Sequence, residues 1–575
     1  MSKLRTALPN SEKNNFLMTM FQFFKEEKRL DWFCFGLFVI LYILVSLFHE
    51  PMYDEAQAWL IARDASWREL FFEIPHYEGH PPFWHLILAL FAKSGFSIDI
   101  GLRIPGALFS IATIWLILFR SPFPRMIKCL IPFTYYVFFR YSIVVRPYCV
   151  TMFGLCLVAI TYKKRAEKPF LHMFALMLLC VSSAYGMAMA AGICIVWIID
   201  IIKNIKKNYF KQFSAMAVLL AYNIGQLWLM MPMDDTNNVV FFSVSTIIYS
   251  MIYMCILGPA DSMFLDTGMD ARLQYYAEGI VNGGLISYVN LIAGLITILF
   301  LLYYARKYRK LLLLIIPYSL FSLFSSVVYF WYHHIGLIFL YLVFVFWCGL
   351  DEVASNEVKK MPDFLSQINY KYSKLCKQIP KIALVLSLGM SLAWSAFCVG
   401  TDLFRITWYT RDLAQGIQDV GADQNNCALQ WEIVAIGPFE EPADYTDASK
   451  YRHIPSVTQF FDCLVYFDEN IFYNHNGGNR NVSYNQQILA EDEKQAQMLE
   501  NMAEYGYPEF IIGNSFVLDA LPLEEEMPGY VPVYRFEVYK PDKFIIDYND
   551  RYIYARQDIY AQRSDWPIKE QLTFR

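Results

Sequence analysis

The chain has 575 residues, of which 56% are hydrophobic and 18% charged, with a net charge of −5 and a mean hydropathy of +0.31. That composition excludes a disordered chain, and apolar runs near the ~20 residues that cross a bilayer recur over the first 400 positions, which excludes an ordinary soluble enzyme. No basic, aromatic-laced surface of the kind that binds nucleic acid is present.

Charge is unevenly spread. From Thr401 to Arg575 there are 29 acidic and 14 basic residues, which leaves 24 acidic and 34 basic ones before it. Lys3, Arg5, Lys13, Lys25, Lys28 and Arg29 make residues 1–30 a basic amino terminus, expected in the cytoplasm by the positive-inside rule. The run 31–48 is too long for a signal-peptide core and lacks a small-residue cleavage site, so it reads as a retained first span.

A first outer loop, 49–101, follows, opening with "MYDEAQAWL". Over 54–72, Trp59, Leu60, Trp67, Leu70 and Phe71 fall within an arc of about 120°, which predicts an amphipathic helix on the membrane surface. "PPFWHLILALFA" (81–92) is about half a bilayer crossing and reads as a second interfacial or re-entrant helix. Keeping the basic clusters at 120–128, 163–168, 203–211, 305–310 and 351–381 inside predicts about eleven spans: 31–48, 102–119, 127–143, 147–162, 169–184, 186–202, 212–231, 284–304, 311–330, 335–350 and 381–400. Residues 232–283 become a large outer loop. After Gly400, turn residues between short apolar alternations such as "WEIVAIG" and "YVPVYRFEVY" predict a mixed α/β extracytoplasmic domain, 401–575, on a transmembrane domain of 31–400. Its two cysteines, Cys427 and Cys463, suit either a disulfide or two buried thiols.

Chemistry concentrates at the outer boundary. Asp54 and Glu55 stand just past the first span, and Glu78-Gly79-His80-Pro81-Pro82 follows in the same loop. Arg103 opens the second span within "LRIPGALFS", Arg146-Pro147-Tyr148 sits at another outer boundary, and "WYHHIGL" (331–337) carries His333 and His334. Each has a plainer reading: acids favoured at a helix start, arginines snorkelling to lipid phosphates, and a histidine pair among interfacial aromatics.

In combination these motifs resemble the glycosyltransferase-C superfamily, and within it the branch of protein O-mannosyltransferases and lipid A aminoarabinose transferases. The resemblance covers residues ~30–165 by motif and 166–400 by hydropathy. It implies transfer of a sugar from a polyprenyl-phosphate donor to a glycan, lipid or protein acceptor on the outer face of the plasma membrane. It assigns the base to Asp54, with Glu55 or Glu78 orienting the acceptor or holding a divalent ion, and His80 near the leaving phosphate. No metal is required by the motif. Arg63, Arg103, Arg140 and Arg146, with Tyr148, His333 and His334, are the candidates for the donor phosphate, since guanidinium matches it bidentately. Two other classes remain open: a flippase for a lipid-linked saccharide, and a membrane-anchored surface-binding protein.

Overall fold

In the computed structural model the described residues are 27–203, 208–233, 244–267, 284–354, 373–405, 407–435, 451–455, 461–472, 474, 496, 499–504, 506–514, 529–566 and 569–570. Among them six helices are long and apolar enough to cross a membrane: Arg29–Phe48, Ile98–Arg120, Ala184–Lys203, Leu285–Lys307, Tyr332–Glu352 and Ile382–Phe404. The molecule is a polytopic membrane protein, but the expectation of about eleven such spans is overturned.

The other five predicted spans fail for physical reasons. Tyr148–Tyr162, Pro169–Ser182 and Leu311–Val327 have 15, 14 and 17 residues. At about 1.5 Å per residue they fall short of a ~30 Å hydrocarbon core. The predicted 127–143 span is broken into Arg125–Leu130, a 3-10 turn at Ile131–Phe133 that begins around Pro132, and a π-helix at Tyr136–Ile143. Between the last two, Thr134 is extended. Tyr209–Leu229 has the length, but Gln212, Asn223 and Gln226 dilute its apolar character.

The first loop also departs from expectation. One amphipathic helix through Phe72 was predicted; the chain instead forms Tyr53–Asp64 and Trp67–Phe72. Ser66 divides them, its Oγ accepting from the Glu69 N–H at 3.2 Å while Glu69 accepts from the Ser66 N–H at 2.6 Å. The first of the two helices is buried from Glu55 to Ala62, packed under Phe83–Ala92 and the 3-10 turn Phe461–Tyr466 rather than lying on a lipid surface. Of the predicted outer loop 232–283, residues 234–243 and 268–283 lie outside the described residues. Val244–Ile252 is an α-helix, continued by a π-helical turn at Tyr253–Leu257.

The carboxy-terminal part is a mixed α/β domain. A five-stranded sheet has the order β1-β4-β6-β5-β7, with β1 Cys427–Leu429, β4 Phe510–Gly513, β5 Tyr530–Asp542, β6 Ile545–Arg556 and β7 Lys569–Glu570. β1/β4 and β5/β7 are parallel, and β4/β6 and β5/β6 antiparallel. β2 Trp431–Ala435 and β3 Tyr451–Pro455 form a separate antiparallel pair. Helix Thr410–Val420 covers the sheet, with Gly416 against Phe536 and Ile553. Cys427 and Cys463 are both buried free thiols. The side chains of Asp462 and Arg551 form a bidentate buried pair at 2.8 and 2.9 Å.

Candidate active-site cleft

Asp54 sits in the first turn of Tyr53–Asp64, where the chain leaves the first long helix. Its carboxylate pairs with Arg146 at 2.9 Å, and both side chains are partly exposed. Arg146 owes its place to a break in helical structure. The π-helix ends, Val144 is extended, and Pro147 opens the helix Tyr148–Tyr162. The Arg146 guanidinium lies over the Tyr148 ring at 5.1 Å.

The 3-10 turn Tyr332–His334 closes the other side. His334 Nδ1 accepts from the Trp331 N–H at 2.8 Å, and Tyr141 donates its hydroxyl to the His333 carbonyl at 2.8 Å. The two imidazoles lie 4.0 Å apart, and Tyr148 is 6.3 and 5.7 Å from them. Arg140, in the π-helix and only 4% exposed, has its guanidinium over Tyr332 at 5.0 Å. The charges of Arg140 and Arg146 both reach His333 and His334, and His80 is close enough that its charged form would act on them too. His80 is half-buried; burial first, then Arg146 and His85, push its imidazole down to about 3, so it is neutral at pH 7. Glu78, two residues before His80, accepts from Gln57 Nε2 at 3.5 Å.

Four buried polar atoms here have no hydrogen-bond partner among the described residues: His80 Nδ1, Arg140 Nη2, the Tyr148 hydroxyl and His333 Nε2. Each such group costs about 1–3 kcal/mol of desolvation, so their gathering around two arginines and one carboxylate calls for a reason. An oxygen-rich anion would satisfy them.

Glu55 does something different from its neighbour. It is fully buried and accepts from the Met52 N–H at 2.9 Å, the Val145 N–H at 2.8 Å and Arg103 at 2.9 Å, with His49 Nε2 at 3.2 Å. His49 Nδ1 meets Asp402 at 2.6 Å, and Arg103 also donates to the carbonyls of Ile143 and His49. Burial works against Glu55 being charged, but Arg103 and His49 overcome it and hold the carboxyl at about 2. Burial likewise opposes a charged His49, and Asp402 with Glu55 outweighs it, raising the imidazole to about 9.

The structure therefore brings together Asp54, His80, Arg140, Arg146, Tyr148, His333 and His334. It places Glu55 and Arg103 in a separate buried brace with His49 and Asp402. Arg63 lies elsewhere again, bonded to Asp64 at 2.6 Å and to the carbonyls of Phe467 and Leu464 at 2.6 and 3.4 Å, where it ties the first loop to the tail domain. His49 and Asp402 were missed; 353 positions separate them, and no local pattern links them. Among the described residues no three His, Cys, Asp or Glu side chains gather as a metal site. No family model, curated protein or solved structure matches the chain.

Proposed function

We propose that the protein is a glycosyltransferase of the cell membrane that moves a sugar from a polyprenyl-phosphate carrier to an acceptor glycan, lipid or protein on the outer face. The observation that supports this best is the Asp54–Arg146 pair at 2.9 Å, set beside four unpartnered buried polar atoms and a second arginine. A phosphate needs cations and donors at one spot, and an acceptor hydroxyl needs a base beside it. In the reaction the bond between the anomeric carbon and the phosphate oxygen breaks. The acceptor oxygen bonds to that carbon, its proton passes to Asp54, and the bare lipid phosphate leaves on Arg140 and Arg146. A donor phosphate that engages Arg146 competes with Asp54 for it and so frees the carboxylate to act as base. Neutral His80 and the Tyr148 hydroxyl donate to phosphate oxygens.

The orientation follows from charge. Arg29 and the basic residues before it favour a cytoplasmic start, which puts His49, the cleft and the tail domain outside. The decisive experiment incubates the purified protein with a panel of polyprenyl-phosphate sugars and measures release of bare polyprenyl phosphate. Asp54→Asn is expected to lower the rate about 10²–10⁴-fold with normal abundance in the membrane. Undiminished release by that variant would overturn the assignment.

A further inference from the structure

The longest ladder in the tail domain, β5 with β6, ends in a turn at Lys543 and Phe544, with Lys543 at φ 52°. This tip does not project into water. Lys543 is 3% exposed, and its ammonium donates to Asp261 Oδ1 at 2.8 Å, to the Asp261 carbonyl at 3.1 Å and to the Leu265 carbonyl at 2.8 Å. All three of its donor positions are thus used. Trp394 lies 4.7 Å beneath the ammonium, and Cys398 donates to the Lys543 carbonyl at 3.3 Å. Phe544 packs on Phe397, with ring centroids 5.7 Å apart. The hairpin is latched into the membrane part of the molecule.

The latch delivers Asp542 beside the cleft. Its carboxylate accepts from the Tyr135 hydroxyl, one turn before Arg140. Arg140 is a buried guanidinium with no carboxylate at ion-pair distance among the described residues, and the acidic side chain whose charge reaches it most strongly is Asp542. The field of Asp542 also reaches Tyr332, on which Arg140 stacks. A counter-charge that acts through space but does not touch leaves Arg140 Nη2 without a partner among the described residues.

We propose that Asp542 is a positioning residue of the anion site: the counter-charge the tail domain presents to Arg140, with which an incoming phosphate competes. This rests on the reading of Arg140 as a phosphate contact. The claim has a definite sign. Two anions sharing one cation repel, so removing the protein's own anion tightens the other, by about three- to tenfold at the distances and dielectric of a partly buried site. A carboxylate that merely held the fold together would weaken binding when removed.

The test titrates full-length protein in detergent with a short-chain polyprenyl monophosphate. Asp542→Asn keeps an oxygen for the Tyr135 hydroxyl and loses only charge, so it is expected to bind about three- to tenfold more tightly. Lys543→Met, which frees the hairpin and withdraws Asp542, should shift affinity in the same direction. Unchanged or weaker binding in Asp542→Asn overturns the inference. Arg140→Gln separates this from the parent reading: if it leaves binding intact, Arg140 is no phosphate contact and the underlying assignment fails instead. Parallel titration with inorganic phosphate tells a lipid headgroup from a free anion; tightening toward either supports the competition, and tightening toward neither refutes it.

Discussion

Asp54 and Glu55 are adjacent, yet a helix turns successive side chains by about 100°, and that rotation separates their roles. Asp54 faces Arg146 at a partly wet boundary; Glu55 points back into protein and caps the Met52 N–H. The plainer reading of the acidic pair, a helix cap, thus holds for Glu55, and the proposed reactive carboxylate is Asp54 alone. The brace behind them has a calculable pH response. His49 is raised from 6.5 to about 9, so its contribution to stability is complete below pH 6.5 and is lost as pH rises through 9. Glu55 is lowered from 4.5 to about 2, so its contribution is complete above pH 4.5 and is lost as pH falls through 2. His80, lowered from 6.5 to about 3, resists protonation when folded and therefore adds to the acid-side loss below pH 6.5. Thermal inactivation in detergent is expected to be slowest near neutral pH. His49→Gln should flatten the alkaline limb between pH 6.5 and 9 and leave the acid limb in place. An unchanged alkaline limb would show that His49 is not the group responsible.

At the scale of elements, what a local pattern encodes was legible, and what packing decides was not. The motifs around Asp54, His80 and Arg146 stand near helix ends because Pro81, Pro82 and Pro147 and the loop after the first helix force breaks there. Ser66-Trp67-Arg68-Glu69 forms a capping box that the apolar arc running across it hides. The π-helix was invisible, since an apolar segment reads alike whether its turns are tight or wide. So was the reason for Gly106. A Cβ there would lie 2.7 Å from both Val145 methyls and 3.1 Å from the Tyr42 hydroxyl. Val145 gives its N–H to Glu55 and precedes Arg146, so a hydrogen at position 106 lets the second long helix support both the brace and the cleft. Gly106→Ala is expected to cost about 1–3 kcal/mol by overpacking. It should also lower transfer activity, read as a reduced melting temperature together with slower release of lipid phosphate. A variant with unaltered melting would mean that the loop at 144–146 yields without cost.

For the whole molecule, the spans were overcounted because hydropathy does not show where a helix stops or breaks: three of the five segments are too short, one is broken and one is diluted by polar residues. The ends of the first and last long helices nevertheless constrain the path. His49 and Asp402 touch at 2.6 Å, so the chain leaves both helices on one side. Among the described residues, five long helices lie between those points: Ile98–Arg120, Ala184–Lys203, Leu285–Lys307, Tyr332–Glu352 and Ile382–Phe404. The shorter helix Tyr148–Tyr162 packs alongside Tyr332–Glu352. Tyr148 lies beside His333 at the cleft. At its other end Tyr162, Lys163 and Arg165 share a cavity of about 200 Å³ with Lys310, Cys348, Asp351 and Glu352. It therefore runs the same way as Tyr332–Glu352, with Lys164 at the end away from the cleft. Cysteines placed at exposed Glu73 in the first loop and exposed Lys164 beyond this helix are expected to react from opposite sides. In intact cells a membrane-impermeant maleimide should label Glu73→Cys but label Lys164→Cys only after permeabilisation, each read against the parent chain. Labelling of both from outside would show that the two ends of Tyr332–Glu352 do not lie on opposite sides.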